Sequence, residues 1–275
     1  MLPAHAIDET VFTIFDTETT GLNPAAGDRI IELAAVKFKG SEVLGRFETL
    51  VNPQREVSPG AFAVNQISAG MLAGAPPAAD VLGPFMSFLE GSCVCSYNIP
   101  FDLGFLNAEL RRCGHEPFGE RMAVDILTMA RKLLPGLQRH ALWFVANHLQ
   151  VNAAQQHRAL ADVEMTWEVF KRLVDMLREK KITDFNKLFR LFGVSSNILD
   201  GMHDQKAAEI QRAIDSAAAI NIQYLSSGSG AFSRRQIVPK EINGSGRNRY
   251  VTGWCSLRNE ERTFRLDHIL EVELV

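Results

Sequence analysis

The residues able to do chemistry are mostly acids. Phe15-Asp16-Thr17-Glu18-Thr19-Thr20-Gly21-Leu22 closes an apolar, β-branched run that begins at Val11. Residues two apart in a strand share a face, so the carboxylates of Asp16 and Glu18 point the same way. Such neighbours repel, and a hard divalent cation that takes oxygen ligands, such as Mg²⁺, offsets the repulsion. The alternative is a solvated strand end before a Thr-Gly turn. Asn98-Ile99-Pro100-Phe101-Asp102 places a third acid at a loop-to-helix junction. There, helix capping alone is a sufficient reason for an Asp. His157-Arg158-Ala159-Leu160-Ala161-Asp162 leads into an amphipathic stretch. Five residues of helix turn the chain so that the two ends face about 140° apart. His157 is therefore expected on the loop before the helix and Asp162 on its first turns. This sets a movable imidazole over a fixed carboxylate. The alternative is a surface His and an Asp favoured by the helix dipole.

The elements that must position these groups follow from periodicity. Three strands, 11–15, 29–38 and 45–51, read as a meander. Helical spacing then covers 80–89, 102–113, 123–134, 140–150 and 159–180, with a short strand at 94–97. Pro84 kinks or starts the first of these helices. A sheet followed by strand–helix alternation implies an α/β fold with a mixed sheet. Residues 179–204 read as a helical connector, apolar in the middle at Phe185, Leu188, Phe189, Leu191 and Phe192. Beyond it come a helix at 206–219 and five short strands with Gly/Ser turns, the pattern of a small β barrel or sandwich with Trp254 in its core.

Four acids and one His in this order resemble the DEDDh 3′-5′ exonucleases, in particular those of the DNA polymerase III epsilon-subunit type. FDTETTGL matches the first family motif, NIPFD the second and HRALAD the third; Val124 to Arg131 also looks like a family stretch. The resemblance covers about residues 10–175. It implies a ribonuclease H-like mixed sheet flanked by helices. It also implies Asp16, Glu18, Asp102 and Asp162 as ligands of two Mg²⁺ ions (Mn²⁺ substituting), with His157 as general base. Thr17, Thr19, Gly21, Leu22 and Phe101 would lie against the terminal nucleotide. Asp125 is either a supporting acid or a helix cap. Asn65-Gln66-Ile67 falls near the expected substrate wall, with Gln66 a bulky residue there.

Residues 205–275 resemble a WYL domain, a small SH3/Sm-like β barrel. The resemblance rests on Ile222-Gln223-Tyr224, Arg235-Gln236-Ile237-Val238-Pro239, Arg249 to Cys255 and Arg262 to Asp267. It implies a nucleic-acid or nucleotide-type ligand facing Tyr224, Arg235, Tyr250, Arg258 and Arg262. The expected organisation is an exonuclease domain over 1–178, a connector over 179–204 and a WYL-like domain over 205–275.

Composition and charge bound the function. At 46% hydrophobic and 22% charged residues the 275-residue chain is an ordinary globular sequence. Residues 1–175 hold 14 Lys and Arg against 20 Asp and Glu, whereas 234–265 hold eight basic and three acidic residues. The acidic part therefore has no long-range pull on nucleic acid of its own, and the basic run is a candidate phosphate contact. Four cysteines without a C-x-x-C suggest reduced thiols in a cytoplasmic protein. Neither a signal peptide nor a membrane span is expected. The leading reading is removal of nucleotides from 3′ ends of single-stranded DNA. The alternatives are an RNA 3′ exonuclease of the same fold, and a nucleic-acid or nucleotide-sensing adaptor acting through the WYL domain. No QLSLPL-like clamp motif occurs, so a DNA polymerase partner stands as one option beside stand-alone repair or processing.

Overall fold

The computed structural model describes residues 5–151, 158–194, 196–245 and 248–275, and the side chains of 196–200 lie outside that description. Strands β1 (Val11–Thr19), β2 (Ile30–Lys39) and β3 (Glu42–Leu50) form the antiparallel meander. Helices α1 (Pro59–Asn65), α2 (Ala69–Leu72) and α3 (Ala78–Leu89) follow. Then come β4 (Cys93–Ser96), α4 (Ile99–Arg112), β5 (Ala123–Asp125), α5 (Ile126–Leu133), α6 (Leu142–His148) and α7 (Ala159–Glu179). The sheet order is β3-β2-β1-β4-β5, with β4 parallel to β1 and β5 parallel to β4.

β2 is buried along nearly its whole length because helices cover both faces. On one face, Phe12, Ile14, Val36 and Phe38 pack with Phe170, Leu173 and Val174 of α7. On the other, Phe15, Leu33 and Ala35 pack with Phe85 of α3 and with Phe105 and Leu106 of α4. Each such side chain is worth about 1.5–3 kcal/mol when buried, and a one-residue slip would turn the whole set inside out. Strand alternation then sends Asp16 and Glu18 to the α7 side and Thr17 to the α4 side. α3 runs through Pro84 rather than starting there.

The stretch expected to be a connector is part of the first core. In α8 (Phe185–Phe192), Phe185, Leu188, Phe189, Leu191 and Phe192 are all buried against it. Val124 bridges to Gly193, and Val194 N–H donates to Ala123 O at 3.0 Å, which covers the exposed edge of β5. α9 (Ser196–Asp215) runs uninterrupted across position 205.

Strands β6 (Ile220–Leu225), β7 (Phe232–Asn243), β8 (Tyr250–Cys255), β9 (Glu260–Arg265) and β10 (Ile269–Leu274) make an antiparallel sheet in the order β10-β6-β7-β8-β9. The expected closed barrel is not formed: β9 and β10 are the two edges of an open sheet. The reason is that α9 covers the apolar face. Its Ile210 and Ala213 pack with Ile220, Ile222, Ile237 and Phe264, so closure is not needed to bury them. Part of the opposite face docks on the first domain through Leu225, Leu270 and Phe232. Lys187–Glu271 at 2.5 Å and Lys132–Asp267 at 3.6 Å flank that contact. Gly230, at φ +63°, sits so close to the C-terminus of α5 that a Cβ would lie 2.8 Å from Leu133 O. Trp254 is not in the core. It alternates with the buried Gly253 and Cys255 and stands 42% exposed on the outer face, paired with exposed Val238. All four cysteines are free, and no helix among the described residues is long and apolar enough to cross a membrane.

Candidate active site

Asp16 and Glu18 project from β1 toward the first turn of α7, where Asp162 lies. Carboxylate oxygens of the three lie within 4.8 Å of one another. Burial pushes the Asp16 carboxyl well up from its usual range, and the charges of Asp102, Glu18 and Asp162 push it further. Glu18 is pushed up to about 7, first by burial and then by Asp162 and Glu32. An oxygen-only set of crowded acids with raised proton affinity is the environment that a hard divalent cation stabilises. The donor set therefore fits Mg²⁺ or Mn²⁺.

Asp102 enters from the opposite side of the sheet and does not cap a helix. α4 begins at Ile99, which puts Asp102 inside its first turn. The β1–β4 ladder ends at Ile14, and Asp102 occupies the gap where the strands part. Its Oδ1 accepts from Thr17 N–H at 3.1 Å and Thr17 Oγ1 at 2.8 Å, and its Oδ2 from Ser96 Oγ at 2.5 Å. Burial raises it to about 6 against the pull of these donors. Asp125 is a cap: it accepts from Thr128 N–H at 3.2 Å and Thr128 Oγ1 at 2.5 Å, and also from Ile99 N–H at the start of α4.

A cleft of about 700 Å³ opens beside the acids, and Thr17, Thr19, Gly21, Leu22 and Phe101 all line it together with Glu18. Leu22 is 84% exposed at its lip. A Cβ at position 21 would meet the Asp28 carboxylate at 2.3 Å and displace it. Asp28 in turn accepts from Thr20 Oγ1 and Asn23 N–H and so ties the turn together. Val64 and Asn65 form the facing wall. Asn65 hydrogen-bonds Glu18 and donates to Thr19 O at 3.3 Å. Gln66 does not line the cleft. It is exposed and ends α1 in a left-handed conformation at φ +57°, so its bulk is directed to solvent.

Sequence reasoning missed Glu32. It pairs directly with Glu18 across β1 and β2 and is 1% exposed. Its carboxylate takes Arg158 Nη2 at 2.6 Å, Arg158 Nε at 3.1 Å and Ala159 N–H at 2.9 Å, clamping the N-terminus of α7 against the sheet. The signal was available: Glu32 is a lone charge inside the apolar run Ile30 to Val36. His157, the expected base, lies outside the described residues.

The five expected WYL-domain residues do not converge. Register places Tyr224, Arg235 and Arg262 on the α9 side of the second sheet, where the Arg235 guanidinium sits 5.8 Å from the centroids of both Tyr224 and Phe264. Tyr250 faces the other side, and Arg258 is exposed in the β8–β9 turn.

Comparison with known proteins matches residues 13–170 to the exonuclease family of the RNase T type and residues 205–274 to the WYL domain. A DNA polymerase III PolC-type protein of Oceanobacillus iheyensis is 41% identical over 66% of this chain, which spans only 12% of that protein. The DNA polymerase III subunit epsilon of Treponema pallidum is 37% identical over 61% of this chain and 78% of its own length. A structure of E. coli exonuclease I in complex with a dT13 oligonucleotide shares the fold over 89% of this chain and 55% of that one, at 19% identity and TM-score 0.59. The crowded acids beside a cleft thus sit where a family model covers more than half of the sequence, and the chain belongs to the exonuclease family, with a WYL domain at its C-terminal end.

Proposed function

We propose that the protein is a divalent-metal-dependent 3′-5′ exonuclease acting on the 3′ ends of single-stranded DNA, in proofreading, repair or processing. The observation that carries this reading is the convergence of Asp16, Glu18 and Asp162, with Asp102 alongside, at the edge of a nucleotide-sized cleft. Asp16, Glu18, Asp102 and Asp162 would hold two Mg²⁺ ions, for which Mn²⁺ can substitute. Such a pair, when bound, activates water and stabilises the leaving oxygen of a phosphodiester. The chain's own residues do the rest. Leu22 and Phe101 hold the terminal base by apolar contact, and Thr17 and Thr19 border the sugar and phosphate. His157 takes a proton from the attacking water, a role that suits an imidazole near neutral pH. Glu32 fixes the first turn of α7, and with it the position of Asp162 relative to β1.

In the same reading the C-terminal sheet holds nucleic acid near the cleft, with Arg235 and Arg262 as its phosphate contacts. A polymerase partner and a cytoplasmic setting are compatible with the T. pallidum and O. iheyensis relatives. The test is digestion of matched DNA and RNA oligomers, labelled at either end, with Mg²⁺ and with EDTA. The expected result is Mg²⁺-dependent shortening of DNA from its 3′ end. Shortening from the 5′ end, or turnover in EDTA, would overturn the proposal. Preferential RNA cleavage would move it to an RNA exonuclease of the same fold.

A further inference from the structure

Between Ile126 and Ala161 the sequence has no acidic residue, although residues 1–175 hold 20 of them. The same stretch carries Arg131, Lys132, Arg139 and Arg158. Lys132 and Arg158 are committed to Asp267 and Glu32, whereas Arg131 and Arg139 are exposed. Next to Arg139, α6 buries Val145 and Ala146 and presents Trp143 and Phe144 outward at 43% and 41% exposure. Their rings meet edge to face at 5.4 Å, and the Arg139 guanidinium lies 5.4 Å from the Phe144 centroid.

This surface belongs to the active-site end of the first sheet. The β1–β4 register pairs Ile14 with Cys95, and its extension brings Tyr97 level with Asp16. Tyr97 Oη donates to His140 O at 2.6 Å, which pins the start of α6 to that end. α6 also packs on α7, whose first turn carries Asp162. Two exposed aromatic side chains with two exposed guanidinium groups, in a segment free of repelling carboxylates, match a single strand's chemistry: bases that stack and phosphates that need a cation.

We infer that Trp143, Phe144, Arg139 and Arg131 form a stacking platform for single-stranded nucleic acid. It would take the nucleotides upstream of the one in the cleft. The inference rests on the exonuclease reading for the direction of the strand, but the platform's binding can be measured without cleavage.

The experiment uses the full chain and oligo(dT) of about twenty nucleotides in Ca²⁺ or EDTA, read by fluorescence anisotropy, beside cleavage of the same oligomer and of a trinucleotide in Mg²⁺. Trp143→Ala with Phe144→Ala should weaken binding about tenfold or more, the usual worth of base–aromatic stacking. KM on the long oligomer should rise in parallel, with trinucleotide turnover unchanged. Trp143→Phe should restore most of the binding and guards against a folding defect. Arg131→Ala with Arg139→Ala should flatten the salt dependence of binding by about 1.4 in log–log slope, at roughly 0.7 per lost single-strand phosphate contact. Equal binding by wild type and the aromatic double variant, or an equal loss on the trinucleotide, would overturn the platform. So would a wild type that sediments as a dimer and a Trp143→Ala variant that is monomeric, since the patch would then be a contact between copies. If the wild type binds oligo(dT) through these residues yet cleaves nothing, the platform holds and the exonuclease reading is what fails.

Discussion

The two sheets treat charge in opposite ways. The first, covered on both faces, buries Asp16 and Glu18 where burial and the charges of neighbouring acids raise the proton affinity of both. The second is rich in basic residues but pairs four of the eight in 234–265 with nearby acids: Lys240 with Glu261, Arg249 with Asp204, Arg262 with Glu260 and Arg265 with Asp267. Folding penalises uncompensated buried charge. The acids of the first sheet therefore point to a ligand that completes the site, while half of the cations in the second sheet's basic run already have a carboxylate partner. Sequence arithmetic made the basic run look like the stronger feature for nucleic acid, yet pairing reduces what it can offer to a phosphate.

This comparison can be broken or sharpened by measurement. The largest effect is expected from Asp16→Ala or Asp162→Ala, which should reduce hydrolysis to background and sharply weaken Mg²⁺ affinity. The metal-free melting temperature should hold or rise as repulsion is relieved. Near-normal turnover at saturating Mg²⁺ would remove these residues from the site. His157→Ala should cost about 10²–10⁴-fold in turnover, the usual worth of a general base, with metal affinity retained. A loss of affinity matching that of Asp162→Ala would make it a ligand instead.

Glu32→Gln should destabilise the fold by about 1–3 kcal/mol, because a buried acceptor for Arg158 and Ala159 loses its charge, and turnover should fall with it. Glu260→Gln, whose partner Arg262 is half exposed, should cost about 0–1 kcal/mol. Comparable losses from the two, by urea denaturation, would erase the contrast between the sheets.

A smaller effect is expected with pH. Glu18 binds its proton more tightly in the folded chain than in the unfolded one, since its carboxyl is raised to about 7. The metal-free protein should therefore be more stable near pH 5 and lose that stability as pH rises through 7. The melting temperature in EDTA should drop by a few degrees over that range, and Mg²⁺ should reverse the trend. A melting curve that is flat with pH in EDTA would show that the acids are not crowded.

The smallest effect is expected from Arg235→Ala with Arg262→Ala. It should flatten the salt dependence of KM on long single strands by less than two phosphate contacts, since Arg262 is already paired. Deleting the whole sheet is the poorer test, because it would bare the surface that Leu225, Phe232 and Leu270 cover.

The sequence by itself determined the meander, β4 and the longer helices of the first domain and singled out Asp16, Glu18 and Asp162, whereas it read β5 into a helix over 123–134 and did not read α1 or α2. Strand alternation is local, so Asp16 and Glu18 on one face could be read from spacing alone. Motif order tied Asp102 and Asp162 to them although 86 and 146 positions separate these from Asp16. What spacing could not supply was anything set by contacts between distant segments. Asp102 could have been a helix cap until Thr17 and Ser96 were seen to hold it. Glu32 read as one charge in an apolar strand until Arg158, 126 positions away, closed on it. The apolar middle of 179–204 read as a connector, but its five buried residues complete the first core. In the second sheet the strands were legible from their alternation, whereas barrel against open sheet was not. That choice depends on what covers the apolar face, and only the packing of α9 across it decided that Ile210 and Ala213 would do so and leave Trp254 outside.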